Sequence, residues 1–241
     1  MQLIPVQISK EIEFKDNLSE LITTSLELHD GDIVVIAQKI ISKQEGRIVN
    51  LSSVKPSLLA KGISSEYDKN PRIVELILSE SKKIVRMDSG RIIVETNAGF
   101  ICANAGIDES NVKNGFATLL PINSDSSAKN ICKQIHDSKK IDVAVIISDT
   151  FGRPFRNGQT DCAIGICGLN PILDYAGTKD NFGNILRVTA IAVADEICGA
   201  AELLMKKTTK CPIVIIRDYQ YKKENSSINQ IIRSEKDDLF R

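Results

Sequence analysis

The 241-residue sequence contains no tryptophan, and its seven phenylalanines and four tyrosines bring aromatics to only 5%. No aromatic cluster therefore marks a platform on which a planar ligand ring would stack. Net charge is missing too, with Lys plus Arg and Asp plus Glu at 31 each. That balance gives no whole-chain attraction to nucleic acid or to an anionic membrane, so any phosphate binding must be local. Long apolar runs are absent: no window approaches the roughly 18 residues a membrane span needs. The opening "MQLIPVQISKEIEFKD" reaches acids before any long apolar stretch, so no leader is read there and a cytoplasmic protein is expected. The two histidines, His29 and His136, have no neighbours at metal-ligand spacing, and the six cysteines contain no C-x-x-C pair. The cysteines lie in apolar stretches and read as buried free thiols, since cysteine behaves as a small hydrophobe. Neither the Walker spacing G-x-x-x-x-G-K-[ST] nor the Rossmann G-x-G-x-x-G occurs, which excludes the commonest nucleotide loops.

What the chain does have is 42% hydrophobic and 26% charged residues, an ordinary globular composition. Its length suits a single domain over residues 1–241, with room for two lobes around a cleft. Short β-branched runs at 3–8, 33–37, 91–95, 100–103, 142–147 and 212–216 read as strands, several of them buried on both faces. Between them "DNLSELITTSLEL" places Leu18, Leu21, Ile22 and Leu26 at helical spacing, with Asn17 and Glu20 placed to form a capping box. "KPSLLAKGISSEYDKN", "PRIVELILSES" and "SAKNICKQIHDSKK" are further helical candidates, and "SSINQIIRSEKDD" reads as a last exposed helix. Residues 191–205, "IAVADEICGAAELLM", are apolar on most faces and predict an internal helix. Its acids Asp195, Glu196 and Glu202 then serve either a structural pair or cap, or the support of a site. The mixture lacks the strict alternation of a doubly wound sheet, so the expected class is α+β.

Two acidic segments carry the chemistry. "NAGIDESN" and "SDTFGRPFRNGQTD" each follow an apolar run and read as Gly-containing loops, which place Asp108 and Asp149 beyond strand ends. Either acid alone is as well explained by a turn or a helix cap. Together they suggest a hard cation: Mg²⁺ takes one or two carboxylates plus phosphate and water oxygens, and the Thr150 hydroxyl adds another oxygen. Arg153 and Arg156 stand in the second segment, and guanidinium forks suit phosphate. A metal-holding acid and a phosphate-binding arginine in one loop match the needs of phosphoryl transfer. A third segment, "AQKIISKQEGR", read as a loop after the strand at 33–37, supplies Lys39, Ser42, Lys43 and Arg47.

Four stretches, "GDIVVIAQKIISKQEGRIVNL", "NAGIDESNV", "ISDTFGRPFRNGQTDCAIGICGL" and "VADEICGAAELLM", in this order and spacing, resemble the coenzyme F420-0:L-glutamate ligase family. The resemblance covers residues 31 to 217. It implies an α+β fold peculiar to that family, neither Rossmann nor P-loop, and a homodimer. It also implies a GTP-dependent amide ligase that phosphorylates the lactyl carboxylate of F420-0, a deazaflavin phosphodiester, and joins L-glutamate to it, then adds a γ-linked glutamate. Mg²⁺ or Mn²⁺ would be the divalent cofactor, helped by K⁺. Carried over by motif, Asp108 and Asp149 would hold metal, with Thr150 at a second cation; Gln38, Lys39, Lys43 and Asn111 would contact the nucleotide; Lys43 and Arg153 would offset charge during the reaction. Where the family usually reads Gly-Leu-Pro-Leu-Ile near the N-terminus, this chain has "ISKEI" at residues 8–12. A metal-dependent phosphohydrolase or a non-catalytic nucleotide-binding module built on the same acids are the alternatives.

Overall fold

A computed structural model describes residues 1–239. In chain order the elements are β1 (Gln2–Val6), α1 (Leu18–Ser25), β2 (Ile33–Ala37), α2 (Gln38–Gln44), β3 (Ile48–Asn50), α3 (Leu58–Tyr67) and α4 (Pro71–Ser79). There follow β4 (Ser81–Asp88), β5 (Arg91–Thr96), β6 (Ile101–Ala103), β7 (Phe116–Thr118), α5 (Ser124–Lys139), β8 (Ala144–Arg153) and β9 (Arg156–Cys167). The last are β10 (Leu173–Asp174), β11 (Ala190–Ile191), α6 (Val193–Met205) and β12 (Ile213–Arg217). This is a mixed α+β architecture, as the sequence pattern implies.

The main sheet has the order β1-β12-β2-β8-β9, with β2 and β8 parallel and every other pair antiparallel. Its central strands are buried at nearly every position, from Ile33 to Ile36, Ala144 to Ile147 and Ile213 to Ile216. Such unbroken burial, in place of in-out alternation, requires cover on both faces, and α5 and α6 pack against these strands. The approach of α5 is close. A Cβ on Gly165 of β9 would stand 2.4 to 2.5 Å from Ser124 backbone atoms at the start of α5, so only glycine fits there. A second core gathers α3, α4, β5 and β7 through Ile63, Val74, Ile77, Val94 and Ala117, over the sheet β4-β5-β6 and the ribbon β3-β7.

Local chemistry explains the helix starts. Asn17 accepts the Glu20 amide at 3.2 Å, the first half of a capping box, while the Glu20 carboxylate takes its return bond from the Asn17 side-chain amide at 3.3 Å instead of from the backbone N–H. Ser57 caps α3, and Asn70 caps α4 with Pro71 in its first turn, where the missing N–H costs nothing. Helix α6 is the internal helix expected, although Ile191 belongs to β11 and Leu203 is exposed. Asp195 on α6 serves a structural role, accepting the Ala163 amide of β9 at 2.9 Å. No helix among the described residues is long and apolar enough to cross a membrane.

Three expectations require correction. Residues 148–161 are not a loop but the outer half of the hairpin β8–β9, with Asp149 opposite Cys162 and Thr150 opposite Asp161. Residues 38–44 form helix α2 because Ile40 and Ile41 bury side by side among residues with good helix propensity. Among the described residues the C-terminal segment holds only two single 3₁₀ turns, Ile228–Gln230 and Glu235–Asp237. Ser227 accepts the Asn229 amide at 3.3 Å, a local side-chain-to-backbone bond of the kind that competes with a continuing helix.

Candidate active site

A cleft of about 1210 Å³ is lined by α2, the segment around Asp108, the emerging part of β8, Asp161 of β9 and the stretch after α6. Asp108 reaches it through a tight turn. Asn104 and Ala105 adopt left-handed backbone and Gly106 has φ +69°, and a Cβ on Gly106 would meet the Leu120 side chain at 2.7 Å. Beyond that turn Asp108 pairs through its backbone with Thr118, which fixes its side chain toward the cleft. Asp149 reaches the same cleft from a separate element, β8. Behind it Phe100 and Phe151 meet edge to face at 6.2 Å, an arrangement aromatic quadrupoles favour.

The two acids sit in different electrostatic surroundings. Burial pushes the Asp108 carboxyl up, but hydrogen bonds from Lys39 at 2.5 Å and from the Ser110 hydroxyl and amide at 2.7 Å outweigh it and hold its pKa below the usual value. Asp149 is pushed up to about 7, first by burial and then by the charges of Asp161 and Asp108, against a favourable hydrogen bond from the Thr150 backbone. A carboxylate so disfavoured gains most from a bound cation. Asp161, which is 4% exposed, accepts the Thr150 hydroxyl at 2.6 Å and the Ser148 hydroxyl at 2.9 Å.

Cations face these acids across the cleft. Lys207 donates to Thr150 Oγ1 at 2.6 Å and lies 3.4 Å from Glu202 and 3.9 Å from Asp161. Lys43 is buried on α2 and pairs with Glu11. Oxygen donors beside ammonium groups are the furnishing of a site for a polyanion carrying hard metal ions. Among the described residues no three His, Cys, Asp or Glu side chains group closely enough to hold an ion by themselves. This donor set fits Mg²⁺ or Mn²⁺, which complete their shells with phosphate and water oxygens.

The F420-0:Gamma-glutamyl ligase family model matches residues 8–218. A coenzyme F420:L-glutamate ligase of Methanothermobacter thermautotrophicus is 43% identical over 249 residues, spanning 100% of this chain and 99% of that protein. The chain belongs to the F420-0:gamma-glutamyl ligase family. Proteins of the same name from Methanopyrus kandleri and Methanocaldococcus jannaschii are 39% and 42% identical, covering 100% and 93% of this chain and 98% and 90% of their own.

Within this member of the ligase family the fold brings together Gln38, Lys39, Lys43, Asp108, Asn111, Asp149 and Thr150, all of which line the cleft. Gln38 faces partly away from it, donating to Ser42 Oγ at 2.5 Å and to the Leu119 carbonyl at 3.2 Å. Arg153 does not line the cleft; it lies exposed near the hairpin turn, donating to the Asn157 carbonyl at 3.2 Å. The reason is the hairpin itself, which carries residues 153–157 outward where a loop would have folded back. Sequence reasoning missed Asp161, Lys207 and Glu11, and had left Glu202, which borders the cleft, between a structural and a site-supporting role. Asp161 closes the segment "SDTFGRPFRNGQTD", and reading that stretch as strand, turn and strand would have set it beside Thr150. Lys207 belongs to "KKTTK", a run indistinguishable in sequence from a solvated helix end.

Proposed function

We propose that the protein joins L-glutamate to the lactyl carboxylate of F420-0 in a reaction dependent on GTP and a divalent cation, and then extends the product by a γ-linked glutamate. The observation that carries this reading is the convergence of Asp108 and Asp149 from separate elements on one lysine-rimmed cleft. A carboxylate does not condense with an amine in water because its oxygen is a poor leaving group. Phosphorylation by GTP makes an acyl phosphate, which the glutamate amine attacks to release phosphate, leaving GDP. Asp108, Asp149 and Thr150 would hold Mg²⁺ or Mn²⁺, with K⁺ as an auxiliary cation. Bound there, the metal supplies charge neutralisation and a template for phosphate oxygens.

The chain's own groups do the rest. Lys39 and Lys43 bind phosphate oxygens, and Asn111 and Gln38 border the nucleotide. Lys207, poised at Thr150, takes the charge-offsetting part that the sequence suggested for Arg153. Holding carboxylate and γ-phosphate in line contributes on the order of 7–11 kcal/mol by avoided loss of freedom. Residues 8–12, including Glu11 against Lys43, also border the cleft, so base selection falls partly to a segment that departs from the family pattern.

The proposal includes a homodimer. Between β10 and β11 the chain forms an arm on which Phe182 and Val188 are 93% and 91% exposed, and apolar side chains so presented suit a partner surface. Incubation with F420-0, L-glutamate, GTP and Mg²⁺ or Mn²⁺, followed by mass analysis, tests the reaction, with ATP in parallel. Added glutamyl units support it. Phosphate release that ignores glutamate would replace it with the phosphohydrolase reading.

A further inference from the structure

Of the six free cysteines, Cys102, Cys198 and Cys211 are buried, as the sequence suggests. Cys162 is partly exposed, but burial and then the charges of Asp195, Asp161 and Asp149 push its thiol up to about 12, which makes it a poor nucleophile. Cys132 and Cys167 differ from these four. Both are partly exposed and both open onto a separate groove of about 530 Å³. Cys132 projects from α5 with Sγ 3.4 Å from the Val143 carbonyl. Cys167, the last residue of β9, is the cross-strand partner of Val145, two residues along the chain from the Val143 carbonyl that Cys132 contacts, so both thiols meet at the same part of this groove, and each is the strongest influence on the other's titration.

We propose that Cys132 and Cys167 form an oxidation site that accepts a hydroperoxide and closes to a disulfide joining α5 to the end of β9. Their roles differ. The influence of Cys132, followed by the charge of Lys129, holds the Cys167 thiol below its usual pKa against burial and Asp125. The reciprocal influence of Cys167, with burial, pushes Cys132 up. Cys167 is thus the attacking thiolate and Cys132 the resolving thiol. In the first step the Cys167 sulfur bonds to one peroxide oxygen, the O–O bond breaks, and the departing oxygen takes a proton, leaving a sulfenic acid. In the second, Cys132 attacks that sulfur; the S–S bond forms, the S–O bond breaks, and hydroxide leaves with the Cys132 proton as water. Two thiols and one hydroperoxide yield one disulfide, one alcohol or water from the peroxide, and one further water.

The test is titration of the full-length protein with hydrogen peroxide, followed by thiol counting and peptide mapping. Free thiols should fall from six to four, with a 132–167 linkage that a thiol reductant reverses. In Cys132→Ser, Cys167 should stop at the sulfenic acid and be captured by dimedone, while Cys167→Ser should consume peroxide far more slowly than the parent. Iodoacetamide labelling of the unsubstituted protein, which needs no variant to fold, should modify Cys167 first. A full thiol count at a peroxide dose that oxidises free cysteine overturns the proposal. So does a linkage elsewhere, unchanged reactivity of Cys167→Ser, or labelling led by another cysteine.

Discussion

The Lys39 ammonium stands 2.5 Å from Asp108 Oδ2 and also donates to the Ser110 carbonyl and hydroxyl at 2.8 and 2.7 Å. One of the protein's own cations therefore occupies a carboxylate proposed to hold metal. Loading the site requires Lys39 to turn from Asp108 toward phosphate, and a partly exposed pair of this kind is worth roughly 0.2–1 kcal/mol. Lys39→Met should raise Mn²⁺ affinity of the nucleotide-free protein up to roughly fivefold, the equivalent of that energy, while weakening GTP. Calorimetry with each ligand in turn measures both. An unchanged Mn²⁺ constant would show that Lys39 does not compete.

Asp149 sets activity against stability. Its carboxyl titrates at about 7 in the fold against an ordinary value of 3.8, so the folded protein binds the extra proton. Its favourable contribution is complete below the ordinary value and disappears as pH rises through about 7, leaving a penalty above it. Asp149→Asn should raise the melting temperature of the metal-free protein at pH 8, with the gain shrinking to nothing below pH 4. Ligation should fall by on the order of 10²–10³ or more, the scale for losing one transition-state electrostatic partner. Calorimetric scans across pH, beside the glutamylation assay, check the two halves separately.

Asp161 touches the proposed metal oxygens only through others, since both of its oxygens accept hydroxyls, from Thr150 and Ser148. Replacing it with leucine removes both acceptors, and loss of such supporting contacts typically costs 10–100-fold in metal affinity or activity. Asp161→Leu is expected to raise the Mn²⁺ concentration needed for half-maximal ligation within that range, with Asp161→Asn intermediate because one acceptor survives. A fall in turnover at saturating Mn²⁺ with an unchanged metal requirement would instead assign Asp161 to the chemistry itself.

Legibility in the sequence followed the strength of local signals. The central strands β2, β8 and β12 were plain because burial on both faces leaves unbroken β-branched runs, and the Asn17 cap carries its own side-chain chemistry. The outer half of β8–β9 was not, because a hairpin arm that faces the cleft or solvent keeps glycines, arginines and an Asn-Gly pair that resemble a loop. The same blindness hid Asp161. Its neighbours in function, Thr150 and Ser148, become neighbours in space only through cross-strand register. Cys132 and Cys167 were read as buried because apolar sequence surrounds them, whereas the groove they open onto is completed by Tyr221 and Lys223 from far along the chain, which no local pattern encodes.

The arm between β10 and β11 supplies the test of assembly. Leu173 with Ile191 and Asp174 with Ala190 pair across its base, Tyr175 and Gly177 donate backbone amides to the Thr189 and Leu186 carbonyls, and Lys179 bridges Ile185 near the tip. So short a ribbon is marginal in water without packing on one face, yet Phe182, Ile185 and Val188 are 93%, 61% and 91% exposed. A second protomer would bury them, and the loss of apolar contact at an interface core is what separates dimer from monomer. Phe182→Asp with Val188→Asp should therefore convert a dimer to a monomer in sedimentation velocity at micromolar concentration, with the main sheet intact by circular dichroism. Because the acid cluster of the cleft lies on other elements, Mn²⁺ binding should survive the change. A variant that sediments as the parent does would place the interface elsewhere.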